Sequence, residues 1–387
     1  MAEFDFSYFL QSVPAKTAIE YLQNTDNWNP NVTFDQPVNL FFRFFDRKIP
    51  ESYLSVQKRF PDHCRYHFRS KVNSKIIIAA SLHEFSNILN FASSLPCQEF
   101  YHEITNEITS ERSPEFIVRN HTWKRDCPRI MGILNITPDS FYDGGKFFEL
   151  TDYIAIVEEM IQAGADLIDI GGESSRPGSK AVSVKEEIAR IMPAVQQIRN
   201  RFDIPISIDT IKPEVADAML GLGADMINDI SGLASGNKML RVVLKHKASY
   251  CLTHIQGKPD NMQDSPTYFD IIAEVYQFFI NKLQVCRQEG LDDNRVLIDP
   301  GIGFGKKLSH NLDLLRFLSA FSNLNNLILI GTSNKSFIGQ ALHREVEKRL
   351  AGSIATQALG WIMGATIFRV HNIQESRDAI EMACLFS

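Results

Sequence analysis

The fold of this chain is decided by the stretch Arg129-Ile-Met-Gly-Ile-Leu-Asn135-Ile-Thr-Pro-Asp-Ser-Phe-Tyr-Asp-Gly-Gly145. The residues between Arg129 and Asn135 are apolar without polar alternation, which is typical of a strand buried on both faces. Turn-forming Pro-Asp and Asp-Gly-Gly groups follow and end the strand. Asn135 is therefore expected at the carboxyl end of a buried strand, in a polar cluster that fits either a ligand rim or an ordinary strand-to-helix turn.

The same order of features repeats along the rest of the chain: a short apolar run, a polar or glycine-rich end, and a segment with helical periodicity. Strands are predicted at residues 129–135, 166–172, 205–210, 226–230, 249–254, 295–301, 327–333 and 366–371. Helices are predicted at residues 151–163, 184–202, 213–222, 269–288 and 351–363. Eight such units in about 250 residues predict an α/β fold, the closed (β/α)8 TIM barrel. An open doubly wound sheet is the alternative, but the glycine-rich dinucleotide turn that it requires near its first strand is missing.

Residues 1–112 lack this pattern and are predicted to form a small N-terminal α/β extension of unknown role, with the barrel at residues 113–387. Phe41, Phe42, Phe44 and Phe45 fit either a buried strand or one face of a helix. Residues 75–80 read as a strand, and a Ser-x-x-Glu capping box at residues 81–84 opens a predicted helix to about residue 93. Residues 107–114 read as a linker.

A hairpin is predicted just before the barrel, from residues 116–119 and the segment around Trp123. Such a hairpin would lead into the first strand and plug the bottom of the barrel. No chemistry is evident in the sequence before it.

Composition narrows the class of protein. A net charge of −6 gives no electrostatic footprint for nucleic acid or an anionic membrane. The six cysteines are scattered without a Cys-x-x-Cys pair, and no apolar run has transmembrane length. We therefore expect a soluble globular protein of the reducing cytoplasm.

Polar side chains recur at the predicted strand ends, where barrels of this kind carry their active sites. These residues are Asn135, Asp169, Glu173, Asp209, Asn228, His254, Asp299, Ser333, Lys335, Arg369 and His371. A barrel built only for stability has no need of so many carboxylates there, since each must be hydrogen-bonded or lose its charge. Their convergence predicts a ligand pocket.

The residue types indicate what this pocket binds. Asp209, Asn228 and Asp299 can pair edge-on with a flat heterocycle, because a carboxylate accepts two parallel N–H groups. Lys335 can donate to a ring nitrogen or carbonyl oxygen, and Phe304 can approach the ring face. The residues predict a site for a polar planar ring.

A phosphate tail is indicated by the last strand. Arg369 and His371 are alternate residues, so they face the same side and supply cationic donors where barrels commonly bind phosphate. Asn135 offers an oxygen ligand for Mg²⁺, which would bridge to phosphate oxygens.

Eight blocks closely resemble the pterin-binding family, and within it the synthases that form 7,8-dihydropteroate. They are Met131-Gly-Ile-Leu-Asn-Ile-Thr-Pro-Asp-Ser-Phe141, Asp169-Ile-Gly-Gly-Glu-Ser-Ser-Arg-Pro-Gly178, Ser207-Ile-Asp-Thr210, Ile227-Asn-Asp-Ile-Ser-Gly232, Asp299-Pro-Gly-Ile-Gly-Phe-Gly-Lys306, Gly331-Thr-Ser-Asn-Lys-Ser336, Arg349-Leu-Ala-Gly-Ser353 and Phe368-Arg-Val-His371. The resemblance implies that the enzyme joins 6-hydroxymethyl-7,8-dihydropterin diphosphate to 4-aminobenzoate and releases diphosphate.

By this resemblance each matched residue acquires an expected role. Asp209, Asn228, Asp299 and Lys335 would hold the pterin, with Phe304 against its ring. Arg369 and His371 would bind the diphosphate, Asn135 would ligate Mg²⁺, and Ser333 would help to cradle 4-aminobenzoate. The loops after the first two strands would close over the site with Thr137, Asp139, Phe141, Ser175, Arg176 and Pro177. The residues expected to act in catalysis are Asp139, Arg176, Lys335, Arg369 and His371, and Asp139 and Arg176 are expected to pair during closure.

Three residues have a structural interpretation beside the functional one. Asp169 and Glu173 are expected to hold backbone amides around the Gly-Gly turn rather than to contact substrate. His254 fits either a histidine with internal partners at the rim or a substrate contact.

The chain departs from the family pattern at one position near the site. Where the family usually has Ser-Arg-Lys-Ser, this chain has Ser333-Asn334-Lys335-Ser336. The lost charge fits a lower affinity, a different amine acceptor, or compensation by a nearby lysine. Ser175, where threonine is common, only removes a methyl group.

Two other functions are compatible with a barrel of this kind. A pterin-dependent corrinoid methyltransferase on the same barrel should lack both the Asn-Ile-Thr-Pro-Asp-Ser-Phe loop and the Arg-Val-His ending, and both are present. A non-catalytic pterin-binding paralogue, acting through its N-terminal extension on a partner protein, stays open because of Asn334 and the unexplained N-terminal extension. The resemblance also implies a homodimer packed through late barrel helices, to which residues 351–363 could contribute, although the same apolar stripe fits the core.

Overall fold

A computed structural model of the chain describes residues 6–13, 15–23, 34, 38–45, 49, 65–69, 74–80, 114–136, 151–174, 182–257 and 261–386. The chain divides into two units, Met1–Arg112 and Ser113–Ser387. Within the described ranges, no helix is both long enough and apolar enough to cross a bilayer.

The first unit contains a four-stranded antiparallel sheet and one described helix. Its elements are β1 (Phe6–Val13), α1 (Ala15–Leu22), β2 (Val38–Phe45), β3 (Arg65–Arg69) and β4 (Ser74–Ala80). The strands lie in the order β1-β2-β4-β3. The predicted strand at residues 75–80 is therefore confirmed, while the predicted helix at 81–93 and the linker up to residue 113 lie outside the described residues.

The phenylalanine-rich segment of this unit is a strand. Phe41 and Phe42 point to opposite faces of β2, and both are fully buried, so the sheet is covered on both sides at this point. Tyr21 of α1 meets the ring of Phe42 edge-on, with 5.5 Å between the ring centroids. Because both faces are apolar, the sequence shows no alternation, and this explains why it also fitted a helix.

The second unit begins with a hairpin and continues into eight parallel strands. The hairpin strands are β5 (Glu115–Val118) and β6 (His121–Lys124). The barrel strands are β7 (Arg129–Asn135), β8 (Leu167–Gly171), β9 (Ile206–Asp209), β10 (Met226–Asp229), β11 (Ser249–Thr253), β12 (Val296–Asp299), β13 (Leu329–Ile330) and β14 (Ile367–Val370). The sheet runs in the order β12-β11-β10-β9-β8-β7-β14-β13, and a parallel bridge from Ile298 to Ile328 joins its two ends. The predicted (β/α)8 barrel is confirmed.

Helices separate the barrel strands and cover the outside of the sheet. They are α2 (Thr151–Gln162), α3 (Val184–Arg201), α4 (Pro213–Gly221), α5 (Asn237–Lys245), α6 (Ile271–Glu289), α7 (Leu308–Arg316), α8 (Ser336–Leu342), α9 (Leu350–Ile362) and α10 (Ile373–Cys384). Short 3₁₀ helices lie at Asp293–Arg295, Leu318–Leu324 and Val346–Lys348. Each predicted helix of the barrel is present within two residues of its expected bounds.

The hairpin closes the bottom of the barrel, as predicted. Phe116, Val118 and Trp123 are buried in a cluster with residues from the beginnings of the strands. The strand members of this cluster are Met131, Leu167, Met226, Cys251, Leu297, Leu329 and Ile367. Burial of a large aromatic side chain stabilises a fold by roughly 1.5–3 kcal/mol, so the plug is an integral part of the core.

Candidate active site

The plug identifies the side chains that face the inside of the barrel. Successive side chains of a strand alternate between its two faces, so residues two and four positions beyond a plug-facing residue also point inward. Counting on from the strand members of the cluster gives Asn135, Asp169, Asn228, Asp299, Arg369 and His371. Strand geometry alone therefore places the predicted polar residues in the barrel mouth.

Arg369 is the centre of this group. Its Nε donates to Asp169 Oδ2 at 2.7 Å, and its Nη2 donates to Asp209 Oδ2 at 2.8 Å. Asn228 Nδ2 also donates to Asp169 Oδ2, at 3.2 Å. One guanidinium thus joins the second, third and eighth strands, and the amide adds the fourth.

Two acceptor oxygens in this group are left without a hydrogen bond among the described residues. They are Asp169 Oδ1 and Asn228 Oδ1, and both are fully buried. An unpaired buried acceptor is costly, so these atoms are suited to receive N–H groups from a ligand.

Asp209 has an unusual protonation equilibrium. Burial raises the pKa of this carboxyl to about 7; the carboxylates of Asp169 and Glu187 add to the rise, and Arg369 and Lys335 oppose it. For Arg369, burial disfavours the charged form, but Asp169 and Asp209 outweigh it and raise the pKa. The arginine stays charged while the carboxyl titrates near neutrality.

Lys335 follows the seventh strand, which pairs with the strand of Arg369. Its Nζ is 4.1 Å from the ring centroid of Phe304, which is a cation–π distance. Burial lowers the pKa of Lys335 to about 8, with Arg369 adding to the effect and Asp299 and Asp209 opposing it.

Asp299 is the last residue of the sixth strand, and the glycine-rich loop follows it. Gly301 N donates to Asp299 Oδ1 at 2.8 Å, and burial raises the pKa of the carboxyl against the effect of this bond and of the nearby cations. An apolar group of Ile230, Met262 and Phe304, with Ile211 and Ile255 packed against it, lies on the same side. This part of the mouth therefore combines a carboxyl group with an apolar wall.

The last strand provides the other end of the site. His371 N donates to Ser333 Oγ at 3.3 Å, and His371 Nδ1 lies 3.1 Å from the same oxygen. Asn135, half-buried at the end of β7, flanks Gly171 together with Asp209: a Cβ built on Gly171 would lie 3.4 Å from Asn135 Oδ1 and 3.5 Å from Asp209 Cβ. The absence of a side chain at Gly171 keeps the space between these two residues open.

A partly buried ion-pair network holds the outer part of the second strand end. Lys212 Nζ donates to Glu173 Oε2 at 2.5 Å, Glu187 Oε2 at 2.6 Å and Val182 O at 2.6 Å, and Glu173 Oε1 accepts from Val182 N at 3.2 Å. Glu173 therefore holds a backbone amide, but it is that of Val182 rather than one of the Gly-Gly turn. The role of Lys212 was missed because its partners are 25 to 39 residues away in sequence.

Asp169 differs from the prediction. It was expected to hold backbone amides of the Gly-Gly turn, but its carboxylate accepts from the side chains of Asn228 and Arg369. The pairing with Arg369 spans 200 residues, and only the closure of the barrel brings the two together.

His254 has internal partners. Lys306 Nζ lies 2.9 Å from His254 Nδ1 and also donates to Phe304 O, while the histidine ring meets Phe278 edge-on. Burial lowers the pKa of His254 well below its usual value, and burial lowers that of Lys306 to about 7. Of the two interpretations of His254, the structure favours the histidine satisfied by its neighbours.

The structure thus brings Asn135, Asp209, Asn228, Asp299, Phe304, Ser333, Lys335, Arg369 and His371 to one end of the barrel. Thr137, Asp139, Phe141, Ser175, Arg176 and Pro177 lie outside the described residues. The roles predicted for them therefore stay predictions.

Comparison with known proteins identifies the family of this chain. The sequence pattern of the family described as "Pterin binding enzyme" matches residues 131–371, which include the carboxyl ends of all eight barrel strands. The chain belongs to the family of pterin-binding enzymes.

Members of the pterin-binding family resemble the chain throughout the barrel. Dihydropteroate synthase of Escherichia coli (strain K12) is 45% identical over 255 residues, which cover 66% of this chain and 90% of the relative. The crystal structure of the Yersinia pestis dihydropteroate synthase in a sulfonamide drug complex has a TM-score of 0.67 at 40% identity, and covers 70% of this chain and 98% of its own. The Xanthomonas albilineans enzyme with 4-aminobenzoic acid has a TM-score of 0.65 at 39% identity, covering 70% and 97% of the two chains.

Proposed function

We propose that this chain is a dihydropteroate synthase, a transferase of folate biosynthesis. It condenses 6-hydroxymethyl-7,8-dihydropterin diphosphate with 4-aminobenzoate to give 7,8-dihydropteroate and diphosphate. The observation that carries the proposal is the convergence of Asp209, Asn228 and Asp299 with Lys335 and Arg369 in the barrel mouth. Relatives at 45% identity over the barrel carry this name, so the non-catalytic alternative is not favoured.

The pterin fits the inner part of the site. Its exposed ring edge offers several N–H groups, and Asp209 together with the unpaired oxygen of Asn228 can accept them. Lys335 can donate to a ring nitrogen or carbonyl oxygen, and Phe304 and the apolar group around it can cover one ring face. Asp299 completes the polar edge.

The diphosphate would lie towards the last strand. Arg369 and His371 supply cationic or N–H donors there, and Ser333, which contacts His371, is suited to the 4-aminobenzoate side. Asn135 can give Mg²⁺ one protein oxygen, and the space beside Gly171 fits this role. The described residues contain no cluster of three or more histidine, cysteine, aspartate or glutamate ligands. When bound, Mg²⁺ would neutralise charge on the leaving diphosphate.

The reaction follows from these positions. The electron-rich ring can support positive charge on the exocyclic methylene, so its C–O bond can break before the amine attacks, with the electron pair leaving on diphosphate. Arg369 and His371 stabilise the negative charge that develops on the diphosphate. The nitrogen of 4-aminobenzoate then forms the C–N bond and loses a proton to solvent. No strong base is required, because an aniline-type nitrogen is already nucleophilic.

The loop residues complete the proposal. We assign Thr137, Phe141, Ser175 and Pro177 to substrate binding, and Asp139 and Arg176 to a pair that forms during turnover. Exclusion of water from the cation would favour transfer to the amine over hydrolysis.

The proposal is tested with purified full-length protein, the pterin diphosphate, Mg²⁺ and labelled 4-aminobenzoate. Formation of dihydropteroate with release of one diphosphate per product is expected, and omission of either substrate should abolish it. If the protein binds the pterin diphosphate but forms no product, the non-catalytic paralogue is correct instead.

The pH dependence should report on the two groups with shifted pKa values. Pterin binding uses Asp209 as a carboxylate and Lys335 as an ammonium group. Their pKa values of about 7 and about 8 make kcat/KM for the pterin diphosphate rise up to the first value and fall above the second. We expect a bell-shaped profile of kcat/KM against pH, which initial rates measured from about pH 5.5 to about pH 9.5 would reveal.

The alkaline limb has a specific control. Lys335→Arg keeps a cation that does not lose its proton below about pH 12, so the fall above pH 8 should disappear even if the overall rate is lower. An unchanged alkaline limb in this variant would assign the titration to another group.

We further propose a homodimer formed through α9 and α10. Leu359 and Ile362, one turn apart on α9, are 57% and 50% exposed, and Met382 on α10 is 55% exposed. Exposed apolar side chains grouped in this way are typical of a protein interface. Leu359→Asp should shift the protein from dimer to monomer in sedimentation experiments, whereas Phe269→Asp, at an equally exposed site away from these helices, should not.

A cytoplasmic location is also proposed. The described cysteines, Cys127, Cys251, Cys286 and Cys384, are all free thiols. This fits a reducing compartment. We propose as well that the barrel domain, residues 113–387, carries the activity without a chemical contribution from residues 1–112.

A further inference from the structure

We infer that residue 334 organises the active site through its main chain, and that Asn334 replaces the arginine usual in the family without loss of a substrate contact. The inference rests on the proposed function, because it concerns the positions of Ser333 and Lys335 in the same site. It implies that 4-aminobenzoate is retained as the amine acceptor.

Asn334 has a left-handed backbone conformation, with φ of +58°. Lys335 N donates to Thr332 O at 3.3 Å, so residues 332–335 form a turn in which Asn334 is the third residue. A turn with positive φ at this position favours glycine or asparagine, since other side chains are strained there. Asparagine is thus the better residue for this backbone, and arginine has no such preference.

Both main-chain groups of Asn334 are held from the outside. Its N–H donates to Ser353 Oγ at 3.0 Å, and its carbonyl accepts from Arg349 Nη1 at 3.1 Å. Ser353 is buried, and its hydroxyl donates to Arg349 O at 2.9 Å. The start of α9 therefore grips the turn at two points.

Arg349, which binds the carbonyl of Asn334, is itself fixed in position. Arg349 Nε donates to Arg344 O at 3.1 Å, and its guanidinium lies across Gly339 of α8, where a Cβ would come within 2.5–2.7 Å of it. The half-buried Arg349 is thus held over a glycine that leaves room for it. The charge that the family carries at position 334 is not needed to hold the turn.

The turn sets two functional side chains. Ser333, just before Asn334, contacts His371 through its hydroxyl at 3.1 Å. Lys335, just after it, lies 4.1 Å above Phe304 and interacts electrostatically with Asp209 and Asp299. A change of φ at residue 334 would rotate one of these side chains relative to the other. The groups at the diphosphate end and at the pterin end would then no longer have the relative positions that the substrate requires.

The side chain of Asn334 has a lesser part in this arrangement. The two hydrogen bonds described for Asn334 use its main chain, and the residue is partly exposed. If its value lies in its backbone conformation, glycine should replace it and alanine should not. This separates a positioning residue from a substrate contact.

The test compares Asn334→Gly, Asn334→Ala and Asn334→Val in steady-state assays with both substrates and in thermal unfolding. Glycine should keep kcat/KM for the pterin diphosphate within about twofold of wild type, because it adopts positive φ freely. Alanine should lower it about fivefold and valine more, since a β-branched residue is an outlier at positive φ. KM for the pterin diphosphate should rise, because Lys335 moves.

Two further variants sharpen the result. Asn334→Arg, the residue usual in the family, is strained at positive φ as alanine is, so it should lower kcat/KM for the pterin diphosphate to a similar extent, without the tenfold lower KM for 4-aminobenzoate that a substrate-binding cation would give. Asn325→Ala is the matched control: Asn325 is an exposed asparagine with φ of +61° at the end of a 3₁₀ helix, so its loss should lower the unfolding temperature without changing kinetics.

The outcomes separate the two proposals. If wild type forms dihydropteroate but glycine at position 334 is as impaired as alanine, or arginine lowers KM for 4-aminobenzoate tenfold, the backbone role is wrong and the function stands. If wild type forms no product, the proposed function fails. The order of unfolding temperatures, with glycine and asparagine above alanine and valine, still decides the backbone role.

Discussion

Arg369→Ala is expected to lower kcat/KM for the pterin diphosphate by about a thousandfold or more. Loss of one group that stabilises developing charge typically costs about 10²–10³-fold, and Arg369 has a second role that adds to this. Its guanidinium neutralises both Asp169 and Asp209, at 2.7 and 2.8 Å. Without it, burial and mutual repulsion raise the pKa of Asp209 further, so the carboxyl is protonated at neutral pH and accepts the pterin edge poorly.

The same substitution should also destabilise the barrel. Asp169 is fully buried, and removal of one partner of a buried ion pair costs about 3–5 kcal/mol because the other charge is left unpaired. Arg369→Lys keeps the charge but loses the two-pronged geometry, so intermediate values are expected for both activity and urea midpoint.

Arg377→Ala is the matched control. Arg377 is as buried as Arg369 and pairs with Asp166 and with Gly164 O, but Asp166 lies before β8, at the opposite end of the strands. This variant should lose stability while kcat/KM of the folded protein stays near wild type. Activity within tenfold of wild type in a folded Arg369→Ala protein would contradict the role assigned to Arg369.

Gly301→Ala is expected to destabilise the protein by about 4 kcal/mol or more, a value that single substitutions rarely reach. Gly301 has φ of +70°, and a Cβ built on it would overlap the carbonyl oxygen of His254. That oxygen is a main-chain atom and also accepts a hydrogen bond from Lys306 Nζ at 3.3 Å. The overlap therefore cannot be relieved by the movement of a flexible side chain. Since Gly301 N holds Asp299 Oδ1, the pterin edge should be lost together with stability.

Gly290→Ala separates strain from overlap. Gly290 ends α6 with φ of +97°, and a Cβ there would meet nothing within 4 Å. Only the cost of positive φ remains, about 1 kcal/mol. Equal shifts of the urea midpoint for the two variants would show that the contact with His254 contributes little.

The barrel could be predicted because buried parallel strands are read directly from sequence. The strand Arg129–Asn135 has the predicted bounds, since it is apolar throughout and its end is marked by Asn135 and a turn cluster. The seventh strand is much shorter than predicted, with only Leu329–Ile330 assigned as strand. Residues 331–333 continue the apolar-to-polar pattern, but they leave the sheet to form the turn that carries Lys335.

The members of the site could also be predicted, but their pairing could not. Alternation along each strand places Asp209 and Arg369 at the mouth. Which carboxylate the guanidinium contacts depends on strand order and barrel closure, which bring residues 160 to 200 positions apart together. The left-handed conformation of Asn334 is likewise set by Arg349 and Ser353 at the start of α9, not by its own turn alone.

The hairpin beneath the strands determines how molecules enter and leave. Phe116, Val118 and Trp123 seal one end of the barrel with apolar side chains, so both substrates and both products share a single opening. Because the pterin site lies deeper than the 4-aminobenzoate site, the pterin diphosphate must bind before 4-aminobenzoate. The product spans both sites, so it can dissociate only after its 4-aminobenzoate portion has left the outer one. A site with a single opening therefore predicts ordered substrate binding. It also predicts that dihydropteroate competes with the pterin diphosphate for the free enzyme.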